Sequence, residues 1–137
     1  MQKIILATIV LMLLSSVGYG ADWKYYSKDV DGSSSFYDTQ SVSRGENTIK
    51  VWGKAVLSDK AKKKNIKNFP EMPDIENISY MEGRWEINCS KNTMRSLSLF
   101  WYSSEGNDIY RVYYSHSEFT KVVPDSTLAE LVEIICK

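Results

Sequence analysis

The sequence predicts an α+β fold: an antiparallel sheet of about six strands, with a C-terminal helix packed on it and disulfide-linked to a central strand. Three observations lead there. Strict period-2 alternation runs through residues 48–57, 80–89 and 94–103, with short polar turns between the later runs, as in a meander with one buried face. Near the end, Leu128, Leu131, Val132 and Ile135 switch to the i, i+3, i+4, i+7 spacing of an amphipathic helix. The chain's two cysteines, Cys89 and Cys136, fall at the end of a predicted strand and the end of that helix.

The chain opens with Met1, Gln2 and Lys3, continues through an apolar run from Ile4 to Leu14, and then turns to small residues at Ser15, Ser16, Gly18 and Gly20. This is the three-part pattern of a secretory signal peptide, expected over residues 1–20 with cleavage after Gly20. The apolar run would rise only about 16 Å as a helix, roughly half the hydrocarbon core, so no stable membrane anchor is expected. No cysteine lies near the junction for lipid attachment. Residues 21–137 have the length of a single domain. Localisation is expected to be exported, either periplasmic or secreted and reaching the cell surface. Both cysteines would enter an oxidising compartment, where only one intrachain pairing is open to them. The closed loop would contribute roughly 4 kcal/mol on the chain-entropy model. A redox or metal role is the alternative, weakened by the lack of a Cys-x-x-Cys spacing or a nearby histidine.

Trp23–Tyr26 reads as a strand, Asp31-Gly32 as a turn that tolerates positive φ, and Ser35–Tyr37 as the returning strand of a hairpin. Asp38–Gly45 is polar, with one helical turn over Thr39–Val42. In the next strand Ile49, Val51, Gly53, Ala55 and Leu57 alternate with Thr48, Lys50, Trp52, Lys54 and Val56. Ser58 can cap a short helix over Asp59–Asn68, and Pro70 and Pro73 mark an irregular connection. From Tyr80 to Cys89, residues Met81, Gly83, Trp85, Ile87 and Cys89 share one face. Lys91-Asn92 turns the chain into Met94–Ser103, where Leu97, Leu99 and Trp101 are expected on the core side and Ser96, Ser98, Phe100 and Tyr102 opposite. A polar loop to Asp108 leads to a strand over Ile109–Ser115. Asp125 or Ser126 then caps the final helix.

Lysine and arginine number 17 and so do aspartate and glutamate, giving a formal charge of zero. Such a balance supplies no global field to recruit nucleic acid. His116 is the single histidine, at a predicted strand end beside Ser115 and Ser117, and reads as a solvent-facing turn rather than a catalytic base. Glu82 and Glu86 lie two pleats apart, about 13 Å, beyond the separations of paired glycosidase carboxylates. They read instead as surface partners of Arg84 and neighbouring lysines. No cofactor motif, metal-ligand pair or phosphate-binding glycine loop is present. Two binding features remain. Lys60, Lys63, Lys64 and Lys67 share one face of the predicted helix and could meet a polyanion. Trp52, Phe100 and Tyr102 fall opposite the core positions, and Tyr110 and Tyr114 share one face of their strand. These rings could form an aromatic binding surface or be covered by the lysine-rich helix.

The order Trp23, Gly32-Ser33 before Phe36-Tyr37-Asp38, Val51-Trp52-Gly53-Lys54, the lysine-rich helix, Trp85-Glu86-Ile87-Asn88-Cys89, the tyrosine-rich later strands, Val123-Pro124-Asp125-Ser126 and Ile135-Cys136 resembles the surface-adhesin protein E family of bacterial exported proteins. The resemblance spans residues 21–137. It implies an antiparallel sheet whose C-terminal helix is tied down by the Cys89–Cys136 disulfide. It also implies surface adhesion, with host matrix proteins such as vitronectin and laminin as partners of the pathogen member. The expected function is therefore a non-enzymatic binding protein of the cell envelope. The alternatives are a structural or assembly-assisting periplasmic protein and, after it, an enzyme of unknown type.

Overall fold

The computed structural model describes residues 20–137, so the leader expected over residues 1–20 lies almost wholly outside the described residues. The elements are β1 (Trp23–Lys28), β2 (Ser34–Asp38), a 3-10 turn (Thr39–Ser41), β3 (Ser43–Arg44), β4 (Ile49–Val56), helix α1 (Asp59–Asn68), a second 3-10 turn (Ile75–Asn77), β5 (Ile78–Asn88), β6 (Thr93–Ser103), β7 (Asp108–Tyr113), β8 (Thr120–Lys121) and helix α2 (Thr127–Ile135). The strands form one antiparallel sheet in the order β1-β2-β4-β5-β6-β7, with β3 also on β4 and β8 on β6. Six strands carry the path, as the sequence predicts. The two additions are two-residue pairings, too short to leave a periodicity.

Local chemistry explains where elements begin. Asp29 Oδ1 accepts from the backbone N–H groups of Asp31 and Ser33, and Gly32 takes a φ of 87°, closing the first hairpin. The hydroxyls of Ser58 and Ser126 accept from Ala61 N and Ala129 N, each at 3.1 Å, capping α1 and α2. The predicted bounds of α1 are those observed.

Both helices lie on one side of the sheet. Tyr37, Ile49, Val51, Ile87, Val122, Leu131, Val132 and Ile135 form a buried cluster beneath α2. Ile75, Ile78 and Trp101 form a second, joined by Ile66 of α1 and by Met81 and Leu99. Trp85 packs against the first cluster, and its indole rests on the facing pair Gly53 and Gly83, where a Cβ on Gly53 would overlap it and one on Gly83 would crowd it. The Cys89–Cys136 disulfide is formed, with Cα atoms 5.6 Å apart, and joins the end of central β5 to the end of α2. Arg44 Nη2 donates to Ile135 O at 3.1 Å beside it.

Two expectations need correction. The β5–β6 register shifts between Arg84 and Trp85, pairing Arg84 with Ser98 but Trp85 with Ser96. Leu97 is the extra residue of this bulge, so strict alternation through Met94–Ser103 fails, and Leu97 and Leu99 are only half-buried. Phe100 lies opposite the core positions as expected and is 7% accessible, covered by its neighbours on that face and not by α1. The last long strand is Asp108–Tyr113, ending before Tyr114 and Ser115.

Candidate binding face

The face opposite the helices follows from register. Lys54 pairs with Glu82, Glu82 with Phe100, and Phe100 with Arg111. One row away, Trp52 pairs with Arg84, Arg84 with Ser98, and Ser98 with Tyr113; on the other side lie Val56, Tyr80, Tyr102 and Asp108. Directly paired residues share a face, and neighbours along a strand alternate. Met81, Leu99 and Trp101, which carry α1, are therefore on the far side of the sheet from Trp52, Phe100 and Tyr102.

The rings of this face touch one another. Trp52 and Phe100 have centroids 5.4 Å apart, Phe100 meets Tyr113 edge-on at 5.4 Å, and Tyr80 stacks on Tyr102 at 4.9 Å. Cations are woven between them. Arg111 Cζ lies 4.3 Å from the centre of the Phe100 ring, and Lys54 Nζ lies 4.4 Å from that of Tyr80 and 5.6 Å from that of Trp23. Arg111 also donates from Nε to Asp108 Oδ2 at 2.9 Å and from Nη2 to the Tyr102 hydroxyl at 3.3 Å. Phe100 is thus the floor of the array, roofed by Arg111, Trp52 and Tyr113. Tyr113, 68% accessible, and Tyr25, 54%, stand out from it.

Electrostatics follow this layout. Burial raises the Glu82 carboxyl above its usual value, while Lys54 and Arg111 pull it back. Burial, and then the charge of Glu82, raises the Tyr80 and Tyr102 phenols. The hydrogen bond to Asp108 pushes Arg111 above the ordinary arginine value. At the α2 end of the same face, burial alone would raise Glu86. Hydrogen bonds from Thr48 at 2.9 Å and Arg95 at 2.7 Å outweigh it and hold the carboxyl below its usual range.

The structure brings Trp52, Phe100 and Tyr102 together but keeps them apart from the lysine-rich helix. Of the lysines read as a polyanion face, Lys60 and Lys64 both reach Asp31, at 3.4 and 3.6 Å. Lys63 and Lys67 are exposed and, among the described residues, lie within ion-pair distance of no carboxylate. Tyr110 turns instead to the helix side, edge-on to Trp101 at 5.5 Å. Glu82 and Glu86 do not pair with Arg84: the first lies between Lys54 and Arg111 by register, and the second is bound by Arg95. His116 is exposed, and no group of three or more His, Cys, Asp or Glu among the described residues could hold a metal. Sequence reasoning missed Lys54, Tyr80, Arg111 and Tyr113. The first two lie on the outward parity of strands already read, so parity alone could have found them. Arg111 and Tyr113 were hidden by a second register shift, between Trp101 and Tyr102.

Comparison with known proteins yields one family and one fold. The family described as surface-adhesin protein E matches over residues 23–137. Protein E of Haemophilus influenzae in its crystal form II superposes with a TM-score of 0.55 at 13% identity, covering 88% of this chain and 94% of that chain. Protein E from non-typeable Haemophilus influenzae gives 0.52 at 13% identity, over 88% and 78% of the two chains. At these identities the likeness is one of fold. No curated protein matches the chain in sequence.

Proposed function

Because the chain belongs to the surface-adhesin protein E family, we propose that it is an exported, non-enzymatic binding protein of the bacterial cell envelope, whose contact surface for the extracellular matrix is the aromatic face of the sheet. One observation carries this reading. Both helices pack on the same side, leaving on the other a contiguous array of Trp52, Phe100, Tyr102, Tyr80 and Tyr113 interleaved with Lys54 and Arg111. Tyrosine, tryptophan and arginine are the residues most enriched at energetic centres of interfaces, because they combine large apolar area with polar tips and few rotors. Here they are held in place before any partner arrives, which lowers the ordering cost of binding.

The titratable groups His116, Glu82 and Glu86 fit a binding role. His116 sits at an exposed turn, Glu86 is committed to Thr48 and Arg95, and Glu82 is embedded among the cations of the face. Export would rest on the leader over residues 1–20, releasing residues 21–137 as a single domain.

The direct test is binding of the purified protein to an immobilised matrix extract, with Trp52→Ala, Tyr102→Ala and Lys63→Ala/Lys67→Ala variants in parallel. The two face variants should each weaken capture roughly tenfold or more, the effect of losing an interface anchor. The helix variant should bind as the parent does. Equal capture of all four proteins, or no saturable capture of the parent, would overturn the proposal.

A further inference from the structure

We infer that Lys50, Trp52 and Lys54 of β4, with Arg84 of β5, form a subsite on this face for a sulfated acidic polysaccharide. The inference rests on the face being the binding surface and names the chemistry it takes. Lys50 and Lys54 flank Trp52 two residues to either side, so all three share one face of β4, and Arg84 pairs directly with Trp52 across the strands. Three cationic residues therefore neighbour Trp52 on this face, the two lysines about 13 Å apart along the strand, with the Lys54 ammonium over Tyr80 and near Trp23.

Charge decides what they can receive. Among the described residues, Lys50, Lys54 and Arg84 lie within ion-pair distance of no carboxylate. Two carboxylates face the patch, Glu86 across from Lys50 and Glu82 across from Lys54, but Glu86 is hydrogen-bonded to Arg95 and the Thr48 hydroxyl, Glu82 is shared with Arg111, and Asp108 binds Arg111. The patch thus keeps a surplus of positive charge; the lysine-rich helix keeps one too, on Lys63 and Lys67, but carries no aromatic residue beside it.

The rings distinguish a polysaccharide from a plain acidic peptide. The negative face of an aromatic ring favours positively polarised C–H groups, which the ring face of a sugar presents in a row. Trp52 lies half-buried among the cations, with its neighbour Phe100 sealed beneath Arg111. A guanidinium such as that of Arg84 offers a forked donor pair suited to the oxygens of a sulfate. Sugar stacking on Trp52, with sulfates on Arg84 and the two lysines, uses every group of the patch.

The test measures binding of the purified protein to immobilised heparin, to fully desulfated heparin and to polyglutamate, with the matrix extract as reference. Saturable binding to heparin is expected, at least tenfold weaker on the desulfated polymer and on polyglutamate, and weaker still as salt shortens the screening length. Lys50→Gln/Arg84→Gln should lower heparin affinity roughly tenfold, with unchanged thermal unfolding, whereas Lys63→Gln/Lys67→Gln should not. No heparin binding, equal binding to polyglutamate, or loss only in the helix variant would overturn the inference. If Trp52→Ala abolishes matrix capture while heparin neither binds nor competes, the face stands as the binding surface and this subsite falls. If Trp52→Ala changes neither matrix nor heparin binding, the reading of the face falls with it.

Discussion

Two residues on opposite sides of the sheet show how single positions are constrained. Glu86 is 7% accessible, yet it stays ionised because Thr48 and Arg95 satisfy it. Its folded pKa lies below its ordinary value, so its contribution to stability is present above about pH 4 and is lost as pH falls through the depressed folded value. Glu86→Gln should therefore lower the unfolding temperature at neutral pH, and the gap from the parent should close below about pH 4. Thermal melts at pH 7 and pH 3 would show it, and a gap that widens on acidification would contradict the assignment. Gly53 is constrained by close approach, since a methyl there would overlap Trp85 and one at Gly83 would lie 3.1 Å from the same indole. Gly53→Ala should cost about 1–3 kcal/mol through overpacking and alter the near-ultraviolet signal of the tryptophans. Full parental stability would mean that Trp85 can move aside. The sequence placed Gly53 and Gly83 correctly in alternating strands, but which ring lay across them depends on cross-strand register, and no single strand's periodicity contains it.

At the scale of elements, local signals were legible and couplings between elements were not. Helix α1 has its predicted bounds because Ser58 and the following lysines act within one turn of themselves. Helix α2 could be read from its stripe, and Leu131, Val132 and Ile135 are buried as that stripe requires. The bulges that place Leu97 and re-aim Tyr113 were illegible, because an extra residue changes the face of everything beyond it without changing composition. The outward parity of Phe100 was legible, but not that its neighbours would cover it, and the face covered by α1 could not be chosen. The tether of α2 yields a prediction of its own. Cys136→Ser removes the covalent link to β5 but leaves the buried stripe and the Arg44 contact to Ile135 O. The variant should fold, lose roughly 2–5 kcal/mol and melt roughly ten degrees or more lower. Amide exchange should quicken first in the last turn of α2. A variant as stable as the parent, or exchange that quickens uniformly, would show that the disulfide does not anchor the helix.

At the scale of the whole molecule, the sheet divides labour between its sides: one holds both helices and both buried clusters, and the other is left to its own rings and charges. The two clusters share strands. β5 supplies Ile78 and Met81 to one and Trp85 and Ile87 to the other, and β6 supplies Trp101 and Leu99 to the first and Met94 to the second. Both strands are eleven residues long and pair with each other along almost their full length. Neither cluster can open without breaking ladder hydrogen bonds that the other needs, so the molecule should unfold as one cooperative unit despite its split core. The open face belongs to the same unit, because Trp52 and Phe100 are carried by β4 and β6, strands that also line the clusters. Far-ultraviolet dichroism, tryptophan fluorescence and calorimetry should therefore report one midpoint, with equal calorimetric and van't Hoff enthalpies. A fluorescence transition preceding the loss of sheet signal, or a second calorimetric peak, would show that the α1 and α2 ends melt separately. The open face would then not be fixed by the core behind it.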